Sequence, residues 1–212
     1  MAGWRVSVRE TSSPRMSSMP DAGRVISGRA GGLRLAAPGE GTRPFADRVK
    51  QALFGSLETD PNEPLAGPFL DLFAGSGAAG IEALSRGAPS AVFVERDAGA
   101  ARVVTDNLTR TRLDGGRVVR ADVLRFLEGD VTAAGGPFSA VIIDPPYAQT
   151  GLLDAALERL GDPDGGWLSA VVVVVAKHPW RWTGDATVGC LERGRVRRFG
   201  ETALTWYRRL GA

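Results

Sequence analysis

The chain has 212 residues, of which 43% are hydrophobic and 24% charged. These proportions fit one α/β domain with short additions and exclude a disordered chain. One cysteine, Cys190, and one histidine, His178, exclude an internal disulfide and any metal site built from several Cys or His. The net charge of +2 hides an asymmetry: residues 1–50 carry nine Arg/Lys against four Asp/Glu, and the remainder 17 against 20.

Residues 1–22 are rich in Ser, Pro, Met and Arg without periodicity and read as a flexible tail, with Met16 and Met19 as alternative starts. They lack the apolar core of a secretory signal. The longest apolar run, Ala170 to Ala176, is too short to span a membrane and suits a buried strand. A cytoplasmic location and no membrane partner are the expectation.

Residues 23–60 read as an N-terminal unit. Arg24–Ser27 and Leu33–Leu35 suggest two short strands, with Gly28, Gly31 and Gly32 between them for a turn. Pro44 then opens a helix with the stripe Val49, Leu53, Phe54, Leu57. Its basic face, Arg24, Arg29, Arg34, Arg43, Arg48 and Lys50, is a candidate phosphate contact.

From 61 to 212 strands and helices alternate. Strands are expected at 69–73, 91–95, 117–120, 139–143 and 170–175, and helices at 78–86, 98–111, 123–128 and 152–160. An antiparallel pair over 188–192 and 202–208 closes the chain. This alternation predicts a parallel sheet covered on both faces.

Gly75-Ser76-Gly77-Ala78-Ala79-Gly80 reads G-x-G-x-x-G between a strand and a helix, where small residues let a ligand approach the backbone. Three acids stand near successive strand ends. Asp71 lies within an apolar run, where a charge needs a partner such as a cationic ligand group. Glu95, twenty residues after Gly75, stands where an acid meets ribose hydroxyls. Asp122 follows the third strand and suits an adenine amine. A nicotinamide-dependent dehydrogenase is the rival, but its first strand normally has no acid four residues before the first glycine. Asp71-Leu72-Phe73-Ala74-Gly75-Ser76-Gly77 instead resembles motif I of S-adenosylmethionine-dependent methyltransferases. The cofactor set implied is Asp71, Phe73, Gly75, Ser76, Gly77, Glu95, Arg96, Asp122 and Val123, with S-adenosyl-L-methionine as methyl donor and no metal.

The apolar strand Val141-Ile142-Ile143 ends in Asp144-Pro145-Pro146-Tyr147. Two prolines stiffen the chain and remove N–H donors, leaving a carboxylate, carbonyls and a ring. That set suits an exocyclic amine on a planar base: Asp144 and the Pro145 carbonyl accept its N–H groups, and Tyr147 stacks. The segment resembles motif IV of amino-methyltransferases, and Asp144 to Tyr147 are the expected catalytic group.

Arg24 to Gly28, Thr42-Arg43-Pro44, Asp47 to Lys50, Leu53-Phe54, Asp71 to Ala88, Val94-Glu95, Asp144 to Tyr147 and the end near Tyr207 together resemble one family. It is the bacterial RsmD family of 16S rRNA guanine-N2 methyltransferases. The resemblance implies a seven-stranded Rossmann-like methyltransferase sheet with a small N-terminal hairpin and helix. It also implies a monomer acting on the N2 amine of guanine 966 of 16S rRNA within a small ribosomal subunit particle. An adenine-N6 methyltransferase of DNA or RNA and a non-catalytic nucleotide- or RNA-binding module are the alternatives. The chain lacks room for a separate target-recognition domain, which fits recognition of RNA by shape. Two departures stand out: Phe45-Ala46 where the family usually has Thr-Thr, and Ala176-Lys177-His178 where an acid is common. Lys177 and His178 are expected at a strand end on the active-site side of the sheet, open to an RNA contact, with a plain loop position the commoner reading for a lone His beside Pro179. Arg193, Arg195, Arg197 and Arg198 are expected in a solvated turn or on a second RNA contact.

Overall fold

The computed structural model describes residues 21–39, 45–147 and 149–211. Residues 1–20 of the expected tail and the segment holding Arg43 and Pro44 lie outside the described residues.

Strands β1 (Asp21–Arg24) and β2 (Arg34–Ala36) pair antiparallel, with Asp21 opposite Ala36 and Arg24 opposite Arg34. β1 lies earlier than the strand expected over 24–27 and takes in Asp21 and Ala22, the last two residues of the expected tail. A competing acceptor explains the shift. The amides of Ile26 and Ser27 donate to the buried Glu82 carboxylate at 2.7 and 3.1 Å instead of joining a ladder. The following loop docks on Ser85, whose hydroxyl accepts from the Ala30 amide at 2.9 Å and donates to the Ser27 carbonyl at 2.6 Å. Gly28 has φ 83°, and a Cβ there would lie 1.9 Å from the Ser85 carbonyl oxygen, so only glycine fits this approach.

Helix α1 (Asp47–Glu58) buries the expected stripe, Val49, Leu53, Phe54 and Leu57. Phe54 stacks on Phe69 with centroids 6.1 Å apart. This contact places the N-terminal extension and the first central strand in one apolar cluster.

The body follows as β3 (Phe69–Leu72), α2 (Ala78–Ser85), β4 (Ala91–Glu95), α3 (Ala98–Thr111), β5 (Gly116–Arg120), α4 (Val123–Phe126), α5 (Val131–Ala134), β6 (Phe138–Ile143), α6 (Thr150–Gly161), β7 (Leu168–Pro179), β8 (Thr187–Val188), β9 (Leu191–Phe199) and β10 (Thr202–Arg209). The sheet order is β5-β4-β3-β6-β7-β10-β9-β8, with β3 to β7 parallel and the rest antiparallel. The seven expected strands are joined by β8, an eighth of two residues. One apolar cluster lies under α1, α2 and α3, the other under α4 and α6, so the sheet is covered on both faces as its alternation requires.

Two strands run well beyond their expected bounds. β7 runs on through Lys177 and His178, because β10 pairs with it as far as Pro179. His178 is therefore buried in a strand, not in a loop. The final hairpin uses β9 rather than 188–192, and Arg193, Arg195, Arg197 and Arg198 lie along that strand, not in a turn. β9 exposes every residue from Glu192 to Arg198, so it carries no apolar alternation to read.

The chain enters the body at β3, builds outward to β5, then crosses to β6 on the other side of β3. That is a topological switch point, where α/β sheets bind ligands beyond the carboxyl ends of their strands. Leu72 pairs with Ile143, so the chain leaves β3 into the glycine loop directly beside Asp144.

Candidate active site

A cavity of about 460 Å³ opens at this switch point. Ligand sites of this size fall within the usual range of roughly 300–1,000 Å³. Its lining brings together Asp71, Phe73, Gly75, Ser76, Glu95, Arg96, Asp122, Val123, Asp144, Pro145, Pro146 and Tyr147 from the sequence reading, and adds Phe45 and Lys177. Gly77 is not part of the lining. Its φ of 76° makes the turn, and a Cβ there would lie 2.9 Å from Val104 Cγ1.

The loop after β3 has a strained, fixed shape. Phe73, Gly75 and Gly77 all have positive φ, at 64°, 55° and 76°. A non-glycine residue in this region costs of order 1–3 kcal/mol, which surrounding contacts must offset. Two side chains do so. Glu95 accepts from the Gly75 amide with Oε2 and from the Asp97 amide with Oε1, both at 2.9 Å. Buried Asn107 donates to the Ser76 carbonyl and exchanges two bonds with the Ala36 backbone, all at 2.9 Å. Asn107 was not singled out from the sequence, although a polar residue on the buried stripe of α3 is a readable signal. It joins the N-terminal hairpin to the glycine loop.

The third glycine of the motif, Gly80, permits close packing of α2 on the sheet: a Cβ there would lie 2.3 Å from the Phe93 ring. The Gly80 amide donates to Asp71 Oδ2 at 2.8 Å. Asp71 is 2% exposed. Burial drives its carboxyl well above the ordinary aspartate range, the Gly80 bond opposes this, and the charges of Asp144 and Glu95 add to it. Asp122 caps α4, with Oδ1 accepting from the amides of Leu124 and Arg125 at 3.0 and 3.2 Å.

Across the cavity, Asp144 is held by Lys177, which donates to Oδ1 and Oδ2 at 2.7 and 2.8 Å. Burial works against the ammonium, but the Asp144 carboxylate and Tyr147 outweigh it and hold Lys177 above the ordinary lysine range. The Tyr147 hydroxyl pairs with that of Thr202 at the start of β10. His178, one residue beyond Lys177, plays a structural part. Its Nδ1 faces the Pro179 carbonyl at 2.8 Å, so Nδ1 carries the proton and Nε2 accepts from the Thr205 hydroxyl at 2.7 Å. Burial keeps its pKa below the usual histidine value.

The expected basic face is altered. Lys50 is completely buried; it donates to the Arg24 carbonyl and lies 3.7 Å from Asp47, so it offers no charge to an external phosphate. Its place on the inner side of α1 explains the correction. Arg24 is exposed but pairs with Asp47 at 3.0 Å, and Arg34 pairs with Asp21. Arg29 donates to the Leu84 carbonyl at 3.2 Å, and Arg48 is exposed. Arg43 lies outside the described residues.

The sheet order, the glycine turn and the acids around one cavity define a Rossmann-like S-adenosylmethionine-dependent methyltransferase. The chain belongs to the RsmD family: residues 23–208 match the family described as Conserved hypothetical protein 95. It is 37% identical over 196 residues to the "Putative rRNA methyltransferase YlbH" of Bacillus subtilis (strain 168), covering 89% of this chain and 100% of that protein. It is also 37% identical over 147 residues to "Ribosomal RNA small subunit methyltransferase D" of Escherichia coli (strain K12), covering 69% of each. Among solved structures, "Putative methyltransferase yhhF from Escherichia coli" superposes with a TM-score of 0.76 at 30% identity, covering 88% of this chain and 97% of that one.

Proposed function

We propose that this chain methylates the exocyclic N2 amine of a guanine, position 966, in 16S rRNA of a small ribosomal subunit particle. It would act as a cytoplasmic monomer, use S-adenosyl-L-methionine and need no metal. The observation that carries the reading is that Asp71 in β3 and Asp144 just past the end of the adjacent β6 line one cavity beside the glycine turn. Family membership supports the RNA target.

The donor set fits this cofactor. Asp71 is a buried carboxylate with one oxygen on the Gly80 amide, suited to an amino group. Glu95 and Asp122 keep acceptor capacity for ribose hydroxyls and an adenine amine. When bound, S-adenosylmethionine supplies an electrophilic methyl group. Asp144 and the Pro145 carbonyl accept the N–H groups of the target amine, which draws its lone pair out of conjugation. Tyr147 stacks on the base. One N–H proton would leave to Asp144 or to water as the N–C bond forms and the donor's methyl–sulfur bond breaks, its sulfur keeping the electron pair. The residues contribute position and electrostatics. The exposed arginines Arg24, Arg29, Arg34 and Arg48 are proposed as phosphate contacts, more weakly than their number suggests because two are already ion-paired.

At pH values below the raised Asp71 pKa, cofactor binding is expected to release a proton. A carboxyl held above its ordinary value binds a proton that a neighbouring ammonium would expel, so affinity rises with pH through the raised Asp71 pKa and then levels off. For the same reason the uncomplexed fold loses stability as pH rises from the ordinary aspartate value through the raised one. Calorimetry in buffers of different ionisation enthalpy should show the proton release with wild type and not with Asp71→Asn. That variant should bind the cofactor roughly tenfold or more weakly, as loss of a charged hydrogen bond implies. Equal proton release in both proteins would remove Asp71 from this role.

Labelled methyl transfer to three acceptors tests the substrate class: small subunits lacking the modification, large subunits and duplex DNA. Incorporation into small subunits is expected. Incorporation into DNA alone would favour an adenine-N6 enzyme, and none into any acceptor a binding module.

A further inference from the structure

Lys177 is 7% exposed, at the cavity end of β7. Its ammonium donates to both oxygens of Asp144 at 2.7 and 2.8 Å. It lies 5.0 Å from the centroid of the Tyr147 ring and 5.3 Å from that of Phe45. Both rings line the same cavity. Cations over aromatic faces at this range attract them, the more so when desolvated.

One ammonium on both oxygens fixes the carboxylate plane, since rotating it would break one of two charge-assisted bonds. An ionised carboxylate has about four lone-pair sites. Two go to Lys177, and two remain for N–H groups arriving from the cavity. The same ammonium steadies the ring expected to stack on the base. To reach a phosphate, Lys177 would have to leave Asp144 and abandon a buried pair.

We propose that Lys177 is a positioning residue for methyl transfer, acting through Asp144 and Tyr147 and not by holding RNA itself. This rests on the reading of Asp144 as the acceptor of the target amine. Phe45, from the N-terminal extension, also lies against the ammonium, so the extension contributes to this end of the cavity.

A double-mutant cycle tests the assignment. Lys177→Met, which keeps the side chain's length, is measured alone and combined with Asp144→Asn, using single-turnover transfer to under-methylated small subunits. Calorimetric binding of S-adenosylmethionine serves as the check on folding. Lys177→Met alone is expected to lower the rate by about 10- to 100-fold, as misplacement of a reacting group does, with the KM for RNA little changed. In the Asp144→Asn background the loss should be several-fold smaller, because the charged carboxylate it orders has gone and only one amide oxygen and the Tyr147 ring remain for it to position. Lys177→Arg should restore part of the loss. An equal loss in both backgrounds, or a raised KM with unchanged rate, would overturn the proposal in favour of a direct RNA contact. If Lys177→Met fails to bind cofactor, Lys177→Gln replaces it in the same cycle. Full activity of Asp144→Asn would instead sink the reading of Asp144. A dead Asp144→Asn beside a fully active Lys177→Met would sink the Lys177 proposal alone.

Discussion

Replacing Asp144 by asparagine is expected to lower kcat by about 10²–10³-fold, the usual effect of removing a preorganised electrostatic group. Affinity for S-adenosylmethionine should change little. Asparagine keeps the shape and one acceptor oxygen, so Lys177 retains a partner while the negative charge lining the cavity is lost. The choice of substitution matters. Asp144→Ala would leave the Lys177 ammonium buried without its carboxylate, and breaking a buried pair in that way costs about 3–5 kcal/mol. A fall in activity would then report folding as much as chemistry. Turnover and calorimetric binding of the Asp144→Asn protein check this directly. Turnover within a few-fold of wild type would take Asp144 out of the mechanism.

Glu82→Ala is expected to destabilise the fold by about 3–5 kcal/mol, the loss typical of a broken buried charge network. Glu82 is 0% exposed and accepts from the amides of Ile26 and Ser27 and from Arg86 Nε at 2.7 Å. Its removal leaves two backbone amides without an acceptor and frees the loop that joins β1 to β2. Arg86 keeps a second partner in Glu58, at 2.7 Å, which limits the damage on that side. For a chain of this size each kcal/mol moves Tm by about 2–4 °C, so a drop on the order of 10 °C should appear in thermal unfolding. Protease cleavage near residues 26–30 should become faster at temperatures where the body is still folded. A shift under about 2 °C would mean that the loop is held mainly by apolar packing.

Much of the fold was legible because its parallel strands are continuous apolar runs. β4 and α3 match the sequence expectation residue for residue, since Ala91–Glu95 is bounded by turn signals and Asp97 caps the helix that follows. β9 was not legible: its exposed arginines follow neither a strand period nor an apolar run, and β10 supplies the pairing. The site was readable where chemistry constrains residue type. Asp71 stood out as an acid inside an apolar strand, and Asp144 to Tyr147 as an acid and prolines ending one. Lys50 misled because charge alone does not say which side of a helix faces the core. Its basic look on paper becomes an internal contact to the Arg24 carbonyl. Lys177 and Phe45 depart from the family pattern. That the two departures meet depends on the end of β7 lying beside the start of α1, a tertiary juxtaposition with no local signature.

Asn107 and Glu82 join the N-terminal extension to the body. Asn107 fastens β2 to the glycine turn, and Glu82 fastens the β1–β2 loop to α2. The extension is therefore built onto the glycine-turn side of the body through buried polar bonds as well as through the shared apolar cluster.

In the proposed function, this cavity delivers a methyl group to the N2 amine of one guanine. The most direct test is to incubate the protein with labelled S-adenosylmethionine and small subunits that lack the modification, digest the RNA, and identify the labelled nucleoside. N2-methylguanosine at a single position is the expected result. Label in N6-methyladenosine, or in no nucleoside, would contradict that proposal.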